Sequence, residues 1–131
     1  MTPSRIFLTA TLLLLSAVAA VAHHSFDAEY DRNKPITLKG TVAKVEFMNP
    51  HIWIYVNVPN DKKGSTQWQV EGGAPNSLRR FGWNKDSIKE GDAITIEGSM
   101  SKDGSKTVNA RSVIGPDGKR LFAGSSQGDA K

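Results

Sequence analysis

The chain has 131 residues and no cysteine, with 17 Lys and Arg against 13 Asp and Glu, a formal net charge of +4. Without cysteine it can form no disulfide, hold no metal through thiolates and offer no thiol nucleophile. Its mild positive charge, mixed with acids, attracts anionic partners weakly and does not by itself imply a nucleic-acid surface.

The first element is a leader. Residues 1–22 read as a signal peptide, with Arg5 in the positive region, a short apolar core from Leu8 to Val18 and a small-x-small site at Ala20-Val21-Ala22. No cysteine follows for lipid attachment, and no stop-transfer pattern or polybasic flank is present. The expected product is a periplasmic protein with no stable membrane anchor after cleavage. Cutting after Ala22 leaves His23 at the new amino terminus; cutting after Ala20 leaves Val21-Ala22-His23, with histidine third. The mature chain has the length of one domain rather than two.

Residues 23–35 read as an extended N-terminal arm. It is polar and acidic at Asp27, Glu29 and Asp31, around Phe26 and Tyr30, which would pin it. The acids recur with a period of two, as expected for an ordinary solvent-facing stretch.

The domain proper is expected over 36–122. From Ile36 to Phe47, Ile36, Leu38 and Val42 share one alternation phase and Val45 and Phe47 the other. A phase change inside one strand predicts a bulge near Ala43-Lys44, and Gly40 would ease the coiling. His51 to Val58 alternates cleanly, with Ile52, Ile54, Val56 and Val58 facing the core and His51, Trp53, Tyr55 and Asn57 facing away. A turn from Pro59 to Gly64 leads to a third strand over Gln67–Glu71, with Trp68 and Val70 inward. Gly72-Gly73-Ala74-Pro75 breaks the sheet. Two glycines without a Walker lysine predict a backbone turn, not a phosphate loop.

Asn76 to Phe81 is the one expected helix, with Asn76 as N-cap and Leu78 and Phe81 on a shared face beside Arg79 and Arg80. Strands follow over Ala93–Ser99 and Thr107–Ile114. A turn at Pro116–Lys119 precedes Leu121-Phe122, and residues 123–131 read as a flexible tail. The expected class is all-β: a small five-stranded OB-like barrel with one short helix between strands three and four. A sandwich-like β domain is the alternative.

Several segments together carry a resemblance. They are His23-His24-Ser25-Phe26 with Glu29-Tyr30-Asp31, Gly40-Thr41-Val42, Asn49-Pro50-His51-Ile52-Trp53, and Glu71-Gly72-Gly73-Ala74-Pro75-Asn76. Gly82-Trp83, Gly91-Asp92 and Asn109-Ala110-Arg111-Ser112 continue it. In order and spacing the chain resembles an uncharacterised secreted bacterial family, domain of unknown function number 6152. Phe47-Met48 departs from an expected Trp-Thr-like pair. The resemblance implies a periplasmic single domain and transfers no activity.

The chemistry centres on three histidines, all placed at two points: His23 and His24 behind the leader, and His51 at the second strand. A terminal histidine chelates through its amine and a ring nitrogen, and a strand histidine can complete a three-nitrogen site suited to copper. The expected metal ligands are therefore His23, His24 and His51. Met48 would add a soft ligand, and Trp53 could pack over the cation. The plainer reading is that His51 hydrogen-bonds the arm while His23 and His24 stay in solvent. A metal-free alternative uses the row His51, Trp53, Tyr55, with Arg79, as a ligand-binding or protein-interaction face. Against it, Trp53 and Tyr55 could pack under the arm on Phe26 and Tyr30. No catalytic constellation stands out: Ser25 beside His24 gives no nucleophile–base geometry. The expected role is binding, not catalysis.

Overall fold

The computed structural model describes residues 26–124. The leader, His23, His24 and residues 125–131 lie outside them. The described chain is all-β with one short helix: β1 (Tyr30–Glu46), β2 (Trp53–Pro59), β3 (Ser65–Glu71), α1 (Pro75–Arg80), β4 (Ala93–Ser101), β5 (Thr107–Ile114) and β6 (Arg120–Phe122). A helical turn over 26–29 precedes β1. Among the described residues, no helix is long and apolar enough to cross a membrane.

The sheet order is β3-β2-β1-β4-β5-β6, and β3 also pairs in parallel with β5. The other pairings are antiparallel. The long β1 organises this arrangement. Its first part pairs with β4, down to Thr41–Ala93, and its last part pairs with β2 from Thr41–Asn57 to Glu46–Trp53. The register shifts between Val42 and Lys44, where the apolar phase of the sequence changes. A long strand serving two neighbours must coil, and the bulge supplies the bend. Gly40 lets the strands approach: a Cβ there would stand 2.4 Å from the Asn57 carbonyl oxygen.

Alternation decides the core. Ile52, Ile54 and Val56 are fully buried on one face of the β2 segment, and Val70 and Trp68 join them from β3. Leu78 of α1 is also fully buried, and Trp83 is sealed in with its Nε1 donating to the Phe122 carbonyl at 2.6 Å.

Five details differ from the sequence reading. Among the described residues there are six strands, not five, because Arg120–Phe122 pairs with Ser112–Ile114; a three-residue strand has too few positions to show a period. The expected arm yields its residues 30–35 to β1, which starts at Tyr30, and Pro35 pairs with Ser99. The second strand starts at Trp53, leaving His51 just before it, after a cis Asn49–Pro50 peptide. The helix begins at Pro75 with Ala74 as N-cap and no side-chain cap, since proline's fixed φ suits the first turn. Asn76 instead accepts from Arg79, and Phe81 is 47% exposed, against Phe122 rather than the core. Finally, Ala123 and Gly124 of the expected tail are buried, with Gly73 N donating to Ala123 O at 3.0 Å.

Candidate functional site

The site grows from the junction of β2 and β3. Ile52 N donates to Gly73 O and Gly72 N to Ile52 O, each at 3.0 Å, so the chain before β2 is clamped to the end of β3. That clamp holds His51 beside Glu71. In β3 the apolar positions Trp68 and Val70 point inward, which turns Gln69 and Glu71 to the other face. Glu71 stands opposite Trp53 on β2 and opposite Asn109 on β5.

Glu71 is nonetheless only 8% exposed. Tyr30 covers it: its hydroxyl donates to Oε2 at 2.6 Å. His51 Nδ1 lies 2.5 Å from Oε1. A buried carboxylate is tolerated when its oxygens are satisfied in this way. The segment carrying Tyr30 is itself tied down. Phe26 packs on the Tyr30 ring at 5.6 Å, with the Arg32 guanidinium 4.4 Å over the Phe26 ring. Lys102 N donates to Glu29 O at 2.8 Å, and Lys102 Nζ donates to the Asp27 carbonyl.

The electrostatics follow from these contacts. The hydrogen bond with Glu71 raises His51 above its ordinary 6.5, against the opposing pull of burial. Burial pushes the Glu71 carboxyl up, but the hydrogen bonds from His51 and Tyr30 outweigh it and hold the group below 4.5. Burial, reinforced by Glu71, pushes the Tyr30 phenol far up, so it remains a protonated donor. When His51 is neutral, Nδ1–H donates to Glu71 and the lone pair sits on Nε2. The carboxylate thereby selects the tautomer.

A pH dependence follows, with opposite signs at the two ends. The stabilisation linked to His51 is full below 6.5 and fades as pH rises through its raised value. That linked to Glu71 is full above 4.5 and fades as pH falls through its lowered value. Urea midpoints should therefore peak between these limits, and Glu71→Gln should flatten the alkaline fall. A wild-type midpoint that stays level above that window would contradict the pairing.

The other expected site residues go elsewhere. Trp53 shares a cleft with Tyr30 on this face. Tyr55 instead donates to Glu46 at 3.3 Å, with Lys44 Nζ 5.5 Å from the ring centre. Arg79 lies over the Phe47 ring at 5.5 Å and donates to Asn76. Met48 is 58% exposed. Thus His51 and Trp53 both flank Glu71, while the contacts of Tyr55 and Arg79 lie with other residues. Among the described residues, no three His, Asp or Glu side chains cluster as a metal site. Sequence reasoning missed Glu71 and the role of Tyr30. The one available signal was an acid at the end of a strand, abutting Gly72-Gly73.

These features define a small β-rich domain with a histidine–glutamate–tyrosine relay beneath its own N-terminal segment. The chain belongs to a family of unknown function (DUF6152), whose model matches residues 11–110. No curated protein matches it.

Proposed function

We propose that this is an exported periplasmic protein that binds a copper-type metal ion through His51 and the arm histidines His23 and His24. The observation that carries the reading is the 2.5 Å contact between His51 Nδ1 and Glu71 Oε1. Metal-ligating histidines characteristically present one nitrogen to the ion and donate the other to a carboxylate, which fixes the ring and raises its basicity. His51 has that partner, and its side chain is 30% exposed.

Tyr30 supports the link to the arm. It bonds the same carboxylate as His51 and packs on Phe26. His24 precedes Phe26 by two residues, a stretch that spans up to about 7 Å of extended chain. A terminal amine with imidazole nitrogens suits Cu(II), and Met48 is accessible as a soft ligand for a reduced ion. The pairings β1–β2, β2–β3, β3–β5, β5–β4 and β4–β1 return on themselves. They support an OB-like barrel, on which this face would be a binding surface. The work is binding rather than catalysis.

Titrating the mature protein with Cu(II), its N-terminus verified by intact mass, tests the reading. One tight equivalent with nitrogen-ligand spectra is expected, weakened more than about a hundredfold in His51→Ala, since loss of an outer partner alone costs 10- to 100-fold. Tight binding that survives His51→Ala would reduce the site to the terminal peptide. No tight binding would remove the metal.

A further inference from the structure

The cleft beside the relay is a site in its own right. It is an open cleft of about 530 Å³, a volume within the range of sites that take sugar- or drug-sized ligands. Its walls come from the helical turn before β1, from the outward faces of β2 and β3, and from the β4–β5 hairpin. Register explains why they meet: Gln69 stands opposite Tyr55 on β2 and opposite Thr107 on β5, one step along β3 from the Trp53–Glu71 pair.

The lining narrows the ligand by elimination. Trp53 is half-buried and contributes an aromatic surface, and Tyr30 has its hydroxyl committed to Glu71. Gln69, Ser105 and Thr107 offer an amide and two hydroxyls, the hydroxyls 3.0 Å apart. The charged members are Glu29, Asp103 and Lys102. An anion would meet two carboxylates. A cation finds one of those carboxylates partly spent: Asp103 already takes the Ser101 hydroxyl at 2.6 Å and the Ser105 amide at 2.8 Å. Lys102 contributes a positive charge as well. A purely apolar ligand would strip water from these polar groups without replacing its hydrogen bonds.

What remains is a neutral molecule with one C–H face and a rim of hydroxyls. The C–H face packs on an indole ring, and the hydroxyls meet groups that both donate and accept. We propose that this cleft binds a small neutral saccharide, stacked on Trp53 and hydrogen-bonded by Gln69, Ser105 and Thr107. The proposal does not depend on the metal, because Trp53 and Gln69 approach from the sheet side and His51 lies outside the lining.

The test is nitrogen-15 NMR titration of the full mature protein in EDTA, with glucose, N-acetylglucosamine and maltose as probes and tetramethylammonium as a cationic control. Saturable shifts confined to the Trp53 indole and the Gln69, Ser105 and Thr107 amides are expected with at least one saccharide. Affinity should fall about tenfold or more in Trp53→Ala, the loss of one aromatic platform, and also fall in the exposed-site variant Gln69→Ala. If Trp53→Ala fails to fold, Gln69→Ala alone decides. No saturable shift with any saccharide, shifts centred elsewhere, or a response to tetramethylammonium only would each overturn the proposal.

Discussion

Replacing Glu71 with alanine is expected to destabilise the domain by about 2–4 kcal/mol and to weaken any metal bound at His51 by 10- to 100-fold. The reason is that one carboxylate serves two partners, Tyr30 and His51. Its removal leaves the hydroxyl of Tyr30, a residue only 4% exposed, without its acceptor. Unsatisfied buried groups cost more than the net worth of the lost bonds. His51 also loses the partner that sets its tautomer and raises its pKa. Against a total stability of roughly 5–15 kcal/mol, the loss is large. Urea unfolding at pH 6 measures the first effect and competition titration the second. A stability change under about 0.5 kcal/mol would mean that the carboxylate is not holding Tyr30. Glu71→Gln should be milder, because the amide still offers an oxygen to one partner.

The Gly40→Ala substitution is expected to cost about 3 kcal/mol, at the upper end for overpacking. The added Cβ would meet the Asn57 carbonyl oxygen at 2.4 Å and Val56 Cγ1 at 2.8 Å. A side chain can swing away, but the Asn57 carbonyl belongs to backbone paired across β1 and β2, so the strands themselves must part. Gly40 pairs on its other side with Ile94 of β4, which leaves β1 little room to retreat. The thermal midpoint should drop by roughly 12–24 °C for a domain of this size. Gly104→Ala is the useful contrast: a Cβ there meets nothing within 4 Å, so only the strain of its φ of 78° is felt. Equal losses at the two glycines would show that packing at Gly40 is not the cause.

The elements with regular period are legible in the sequence. Alternation from Ile52 to Val56 assigns the buried face of β2, and the phase change after Val42 marks the bulge, because side-chain direction in a strand follows a period of two. Segments without a period were not legible. Residues 31–34 are all polar and Pro35 follows them, yet β1 runs through the stretch, with Pro35 paired to Ser99 of β4. The strand β6 is too short for a pattern, and the Ala123-Gly124 pair is buried only because Gly73 and Arg111 bind Ala123 through backbone.

The candidate site divides along the same line. The sequence by itself determined the absence of thiol chemistry, the location of all three histidines, the outward phase of Trp53 and the family to which the chain belongs. Only the tertiary structure decided that Glu71, an acid on an outward phase, is buried and shared by Tyr30 and His51. Tyr30 stands far from Glu71 in sequence, and local periodicity carries no record of what covers a strand's outer face. Burial on that face is set by non-local strand register and by where the N-terminal segment docks.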